Sequence, residues 1–209
     1  MATKETKAQR AERLKREKNP WDALEEIRGF ARTGFPAIPP EWLGTYLRWW
    51  GVYTQGDGAG VVGGQNGEGK ALPFFMVRIR VPNGILRANQ VRAIADLSRR
   101  FGRGVADITV RQNIQLHWVT PESLPEVLET LEQHGLTTLG ACGDVVRNIT
   151  GCPVAGVDAD EICDPPRWRW KPRAYSRATP NSITCRASSK FRSPGAAPGA
   201  HIPRSMTSA

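Results

Sequence analysis

Apolar and polar residues alternate through residues 107–118, with an interruption at Gln112, and this pattern predicts two short β-strands. The apolar face of these strands is formed by Ile108, Val110, Ile114, Leu116 and Trp118. The opposite face carries side chains able to bind a polar group, namely Thr109, Arg111, Asn113, Gln115 and His117. A solvated strand face more often carries Lys and Glu, so this set favours a binding surface. An ordinary solvent-facing strand remains the alternative.

Residues 74–81 form a second alternating segment and predict a longer strand. Arg78 and Arg80 fall on one face, about 7 Å apart. That arrangement suits an oxyanion or a carboxylate-rich ligand, and a solvated edge strand is the alternative. Apolar residues at helical spacing, including Val91, then predict buried helix faces over 88–100 and 121–134. With a closing strand at 136–139, the order is that of an α+β, ferredoxin-like βαββαβ unit.

Changes in composition divide the chain into six predicted regions. They are a charged N-terminal arm (1–18), a helical Trp-rich segment (19–55), a Gly-rich linker (56–72), the ferredoxin-like half domain (73–139), the start of a further domain (140–164) and a basic tail (165–209). The arm is expected to be an exposed or frayed helix. The Trp-rich segment is expected to contribute to the core rather than to a partner groove.

The formal net charge of +9 resides entirely in the tail, because the basic and acidic residues balance before residue 165. The tail has no acidic residue and is rich in Pro, Ser, Gly and Arg. Such a stretch buries too little apolar surface to offset its ordering entropy, and disorder is predicted. Either it is a basic arm for nucleic acid, or it was translated in a shifted reading frame. The abrupt boundary favours the second interpretation.

The cysteines and the apolar runs indicate a reducing, cytoplasmic location. Cys142, Cys152, Cys163 and Cys185 include no CxxC pair, which argues against a disulfide scaffold. Cys142 and Cys152 are more typical of small buried thiols than of metal ligands. No apolar run reaches the roughly 18 residues of a membrane span, and no secretory signal is recognisable.

Three motifs, in the same order, resemble the N-terminal half of the sirohaem-dependent nitrite and sulfite reductases. They are Arg78-Ile-Arg80-Val-Pro-Asn-Gly-Ile-Leu, Asp107-Ile-Thr-Val-Arg111-Gln-Asn-Ile-Gln115 and Gly143-Asp-Val-Val-Arg147-Asn-Ile-Thr-Gly-Cys-Pro-Val-Ala-Gly. The resemblance extends over about residues 19–164. The Trp-rich segment and the Arg-Gln-Asn-Ile-Gln sequence are more similar to the ferredoxin–nitrite reductase branch than to the sulfite branch.

The resemblance implies an oxidoreductase that reduces nitrite to ammonia, or sulfite to sulfide. Six electrons pass from a donor such as ferredoxin through a 4Fe-4S cluster to sirohaem. Arg78 and Arg147 are implied to bind the substrate anion. The residues implied to hold the carboxylate-rich sirohaem are Arg80, Thr109, Arg111 and Gln115. Region 140–164 becomes the start of the sirohaem domain, and no metal ligand is implied within this chain.

The chain also departs from the family, because the Lys-x-Lys pattern and the cysteine pairs that hold the cluster are missing. We therefore predict a frameshifted, truncated and inactive reductase that binds neither cofactor in full and that tends to aggregate. One alternative is a non-catalytic ferredoxin-like module whose tail binds nucleic acid. It is disfavoured, because the strand faces do not display the aromatic residues that stack on bases. A regulatory half domain that pairs with a full-length reductase is another alternative. No membrane partner is expected.

Overall fold

The computed structural model describes residues 5–56, 71–143, 145 and 147–151. Within these ranges the chain forms one four-stranded antiparallel sheet in the order β1-β2-β4-β3. The strands are β1 (Val52–Gly56), β2 (Ala71–Ile79), β3 (Ala106–Ile108) and β4 (Ile114–Val119). The antiparallel sheet with helices confirms the predicted α+β, ferredoxin-like half domain. The predicted tail and most of the Gly-rich linker lie outside the described residues.

Five α-helices accompany the sheet in the described part of the chain. They are α1 (Lys7–Glu17), α2 (Leu24–Thr33), α3 (Leu47–Trp49), α4 (Ala88–Phe101) and α5 (Leu124–Gln133). A π-helical turn, Trp42–Tyr46, leads directly into α3, and short 3₁₀ turns cover Pro20–Asp22, Phe35–Ala37 and Pro82–Gly84. Helices α4 and α5 agree closely with the predicted ones, because both carry long and regular apolar stripes.

The outer edge of β2 is occupied differently from the prediction. Strand β1, which the sequence pattern had assigned to the end of a helical segment, pairs with β2 from Val52 opposite Val77 to Gly56 opposite Ala71. The predicted closing strand at 136–139 is reduced to one bridge between Arg80 and Thr137. Because β1 already pairs with this edge up to Val77, only the end of β2 remains for residues 136–139. The prediction of a full closing strand was therefore wrong.

One face of the sheet is covered by helices and forms the core. Side chains from β2, β4, α4 and α5 pack there together with residues of α2 and α3. The strand residues that are fully buried on this covered face are Val52, Phe75, Val77, Ile79, Leu116 and Val119. The alternating residues of β2 and β4 consequently project from the opposite face, which we call the open face.

Four apolar residues lie elsewhere than predicted. Ile108 and Val110 are 84% and 79% exposed, because β3 is a short edge strand and Val110 already belongs to the turn that follows it. Val91 on α4 is also exposed. A register shift between β2 and β4 moves Trp118 away from the apolar face, and this residue has a positive φ of 66°. Its ring packs against Phe74 on the open face instead.

The N-terminal helix α1 is more than a charged arm, because its inner side is packed. Leu14 is buried in a small apolar cluster with Tyr46, Trp49 and Val145. The Tyr46 hydroxyl donates a hydrogen bond to the Leu14 carbonyl at 3.4 Å. The Trp-rich segment thus contributes to the core, as predicted. None of the helices in the described ranges combines the length and the apolar character needed to cross a membrane.

Candidate functional site

The centre of the candidate site is a cross-strand pair on the open face. Arg78 on β2 lies directly opposite Gln115 on β4. The Arg78 Nε and Nη2 atoms donate to Gln115 Oε1 at 3.1 and 2.9 Å, and Nη1 lies 2.5 Å from the Cys142 Sγ atom. The guanidinium is therefore held on two sides, which fixes its plane and direction.

Strand β1 adds an aromatic residue, Tyr53, to this pair. The guanidinium carbons of Arg48 and Arg78 each lie 5.4 Å from the centroid of the Tyr53 ring. The Tyr53 hydroxyl forms a hydrogen bond with the Cys142 thiol. Burial, reinforced by Cys142 and opposed by the charges of Arg78 and Arg147, raises the pKa of Tyr53 to about 12. Tyr53 is thus a neutral hydroxyl donor at physiological pH.

Arg111 and Arg147 extend the positive charge beyond Arg78. Burial lowers the pKa of Arg111, and the nearby charges of Arg147 and Arg78 lower it further. Among the described residues, no carboxylate forms an ion pair with Arg78, Arg111 or Arg147. Three guanidinium groups that repel one another, without a neutralising acid in the part of the chain described, are the arrangement that an anionic ligand stabilises.

The loops that carry these arginines are joined by side-chain amides. The buried Asn148 donates from Nδ2 to the carbonyls of Val81 and Arg111, at 2.8 Å each. Gln112 and Gly151 form a reciprocal pair, in which Gln112 Nε2 donates at 3.0 Å and the Gly151 N–H donates back at 2.9 Å. The loops that carry Arg111 and Arg147 are thereby tied to each other and to the end of β2.

The Trp-rich segment supports the loop that carries Cys142. The Gly140 N–H donates to the Trp49 carbonyl at 2.8 Å. A Cβ atom on Gly143, whose φ is +81°, would lie 2.6 Å from Trp49 Cδ1, so the Trp49 ring packs directly on the Gly143 backbone. Trp49 in turn packs against Leu14 of α1. The N-terminal helix therefore supports the Cys142 loop through its packing against Trp49.

The structure brings Arg78, Arg111, Arg147 and Gln115 together, whereas the other two candidates have local partners. Thr109 closes the β3–β4 turn, where its hydroxyl accepts the Asn113 N–H at 3.1 Å. Arg80 is buried, and its guanidinium donates to the carbonyls of Leu139 and Arg147 at 3.1 and 3.3 Å. Arg80 thus orients the loop that carries Arg147.

Tyr53 and Arg48 were not predicted from the sequence to belong to the site, and Cys142 was predicted only to be a buried thiol. Cys142 is indeed a buried free thiol, but it also contacts Arg78 and Tyr53. The alternation Val52-Tyr53-Thr54-Gln55 was a usable strand signal. No sequence pattern could have indicated that Cys142 lies beside Arg78, because the two residues are far apart in the chain.

The donors of this site fit a ligand with several carboxylates, such as sirohaem. Arg147 Nε is buried without a hydrogen-bond partner among the described residues, and Gln115 and Tyr53 add neutral donors. The same residues do not fit an iron–sulfur cluster. Cys142 is the only cysteine in the described ranges, and those ranges contain no cluster of three or more metal-ligating side chains. Cys152, Cys163 and Cys185 lie outside them.

Comparisons with known proteins all find similarity to nitrite and sulfite reductases. Residues 68–134 match the nitrite/sulfite reductase ferredoxin-like half domain. The chain is 40% identical to a sulfite reductase [ferredoxin] of Mycobacterium tuberculosis over 158 residues, which cover 74% of this chain and 28% of that protein. It is 41% identical to a ferredoxin–nitrite reductase of Leptolyngbya laminosa over 161 residues, which cover 77% of this chain and 29% of that protein.

The fold is also similar to a solved structure. The fold superposes on the Mycobacterium tuberculosis NirA protein with a TM-score of 0.67 and 38% identity, over 74% of this chain and 29% of that one. The chain thus spans less than a third of the length of these relatives. Nitrite and sulfite reductases match about equally well, so the predicted preference for the nitrite branch stays a prediction.

Proposed function

Because the chain belongs, through its ferredoxin-like half domain, to the nitrite/sulfite reductase family, we propose that it forms one wall of an anion-reducing site. The proposed reaction is the six-electron reduction of nitrite to ammonia or of sulfite to sulfide, with ferredoxin as the electron donor in the cytoplasm. The family is catalytic as a longer protein, and this chain supplies the binding wall.

The observation that carries this proposal is the unneutralised arginine cluster. Arg78 and Arg147 are proposed to bind the substrate anion, because Arg78 is rigidly directed and Arg147 has a buried Nε without a partner among the described residues. Each charge-assisted hydrogen bond of this kind contributes about 1.5–3 kcal/mol. Tyr53 adds a hydroxyl donor beside them.

The sirohaem side of the wall is proposed to consist of Arg111, Gln115 and Thr109, with Arg80 in support. Sirohaem, when bound, would supply the redox-active iron. Arg111 offers a guanidinium to a carboxylate. Gln115 acts mainly by holding Arg78, Thr109 shapes the turn before Arg111, and Arg80 orients the Arg147 loop. No cluster ligand is assigned to this chain.

A first experiment tests the sirohaem side. The 209-residue chain is titrated with sirohaem, and binding is followed by the change in absorbance of the tetrapyrrole. Arg111→Ala is expected to weaken binding about tenfold or more, because one charge-assisted pair is lost. Arg99→Ala is the matched control, since Arg99 is 72% exposed and lies on the outer surface of α4. The proposal is contradicted if both variants bind sirohaem equally well. It is also contradicted if the unchanged chain shows no saturable binding.

A second experiment tests the substrate side with the sirohaem-loaded chain. Nitrite and sulfite are added in turn, and spectral shifts report binding. Arg147→Ala is expected to weaken the affinity for the preferred anion by about 1.5–3 kcal/mol. Sirohaem affinity should change much less, because Arg147 is assigned to the small anion. Unchanged affinity for both anions would remove Arg147 from the site.

The alternative, a nucleic-acid-binding module, rests on a tail that lies outside the described residues. The open face does display Phe74 and Trp118, but the Arg103 guanidinium already lies 3.9 Å from the centroid of the Trp118 ring. That ring is therefore not free to stack on a base. A salt-dependent affinity for nucleic acid that is lost on deletion of residues 165–209 would support the alternative.

A further inference from the structure

A row of polar side chains crosses three strands of the open face and ends at Arg78. Gln115 on β4 lies opposite Arg78 on β2 and opposite Asp107 on β3. His117 follows Gln115 on the same face of β4. The side chains are in contact from one end to the other: Arg78 donates to Gln115 Oε1, Gln115 Nε2 lies 3.4 Å from His117 Nε2, and His117 Nε2 lies 3.0 Å from Asp107 Oδ2.

The two contacts of His117 compete for one ring nitrogen. When Nε2 carries no proton, it accepts a hydrogen bond from the Gln115 amide. When Nε2 carries a proton, it donates to the Asp107 carboxylate, and the amide of Gln115 faces an N–H that cannot accept. The protonation of this one nitrogen therefore decides whether the Gln115 amide nitrogen has His117 as a hydrogen-bond acceptor.

We propose that His117 is a positioning residue for Arg78, which acts by fixing the side-chain amide of Gln115. With His117 Nε2 as acceptor, the amide nitrogen of Gln115 points to His117 and its oxygen points to Arg78. That orientation gives Arg78 Nε and Nη2 their common acceptor. Asp107 opposes this state, because it draws the Nε2 proton to itself. Asp107 is 60% exposed and His117 27% exposed, so the row connects solvent to the buried Cys142 end of the site.

This inference deepens the proposed function, because it matters for the reaction only if Arg78 binds the anion. It is tested by a measurement that does not require a ligand, the hydrogen exchange of the Arg78 Nε–H in the ¹⁵N-labelled 209-residue chain. His117→Phe keeps a ring but removes the acceptor, and exchange is expected to become roughly two- to tenfold faster. His117→Gln restores an acceptor oxygen and is expected to return exchange to nearly the original rate.

Asp107→Ala is expected not to speed the exchange of the Arg78 Nε–H, in contrast to His117→Phe. Removal of the competing carboxylate leaves Nε2 free to accept from Gln115, so the Arg78 Nε–H is expected to exchange at the original rate or more slowly. His134→Gln is the control, since His134 lies at the end of α5 and its Nδ1 contacts the Thr130 carbonyl at 2.8 Å. A His117→Phe rate equal to that of the unchanged chain overturns the inference, as does an Asp107→Ala rate that rises with it.

The sirohaem and anion titrations separate this inference from the proposed function. If the unchanged chain binds no sirohaem but the exchange rates follow the expected order, the proposed function fails and the positioning role stands. If the chain binds sirohaem and anion, His117→Phe is expected to weaken anion affinity about two- to tenfold and His117→Gln to restore it. Normal anion binding by His117→Phe overturns the inference while the proposed function stands.

Discussion

The two faces of the sheet are built from the same strands but are held together by different forces. On the covered face, Phe75, Val77 and Leu116 are fully buried among other apolar side chains. On the open face, Tyr53, Arg78 and Gln115 are joined to one another and to Cys142 by a few directional contacts. Apolar burial is roughly proportional to area and independent of direction, whereas a hydrogen bond depends on angle and distance.

Stability and function therefore depend on opposite faces of this half domain. The covered face accounts for most of the apolar area removed from water, so it determines whether the chain folds. The open face adds little area but fixes the direction of Arg78 and of the arginines near it. Changes on the covered face should therefore alter the free energy of unfolding, and changes on the open face should alter binding more than stability.

Two neighbouring phenylalanines that lie on opposite faces are expected to differ most in their contribution to stability. Phe75→Ala removes a fully buried ring that packs 5.7 Å from the Phe35 ring, and we expect a loss of about 3–5 kcal/mol in unfolding free energy. Phe74→Ala removes only a partly exposed ring that contacts Trp118 on the open face, and about 1 kcal/mol is expected. Urea unfolding of both variants measures the difference. Equal losses would mean that the open face is also part of the core.

A second, smaller effect is expected where the helical segment enters the sheet. Gly51 has a φ of +72°, and a Cβ atom there would lie 2.6 Å from the Thr138 carbonyl oxygen and 2.8 Å from that of Arg78. Gly51→Ala must displace backbone atoms, so we expect a loss of about 1–3 kcal/mol. Gly29→Ala is the control, because the space around Gly29 in α2 is open, and it should gain about 0.5–1 kcal/mol. Similar changes in both variants would show that Gly51 is not needed for the close approach.

The covered face was largely predictable from sequence, and particular residues show why. Val77, Ile79 and Leu116 alternate with polar residues, and Ile94 and Leu97 lie at helical spacing, so local periodicity alone identified their buried sides. The pattern failed at Trp118, where a register shift adds a residue and reverses the alternation. It also failed at β1, whose pairing with β2 depends on a contact across the Gly-rich segment.

The open face was predictable only in part. The resemblance drew attention to Arg78, Arg111, Arg147 and Gln115, and the structure brings these four together. Tyr53 and Cys142 were not identified as members of the site, because their places depend on tertiary contacts with Arg78. A sequence pattern identifies the face on which a residue lies, but it does not indicate which distant residue will be its partner.

Tyr53 is expected to make the stability of the chain depend on pH in the alkaline range. The pKa of Tyr53 is raised to about 12 in the folded chain, compared with about 10 in an unfolded chain. The contribution of the neutral phenol is therefore fully present below pH of about 10 and is lost as the pH rises toward 12, because only the unfolded chain releases the proton in that interval. Tyr53→Phe should flatten this decline, at a loss near neutral pH of about 1 kcal/mol for the hydrogen bond to Cys142.

Tyr46 provides the comparison that makes this result specific to the open face. Its pKa is also raised, first by burial and then by Glu41 and Glu17, but its hydroxyl bonds to α1 rather than to the arginine site. Phenolate absorbance and urea midpoints are measured together across the alkaline range for Tyr53→Phe and Tyr46→Phe. Sirohaem added to the unchanged chain should alter the titration of Tyr53 and not that of Tyr46. A Tyr53 that titrates at an ordinary pKa would mean that the open face is solvated at its centre, and the arginines there would then be screened too strongly to bind an anion through charge.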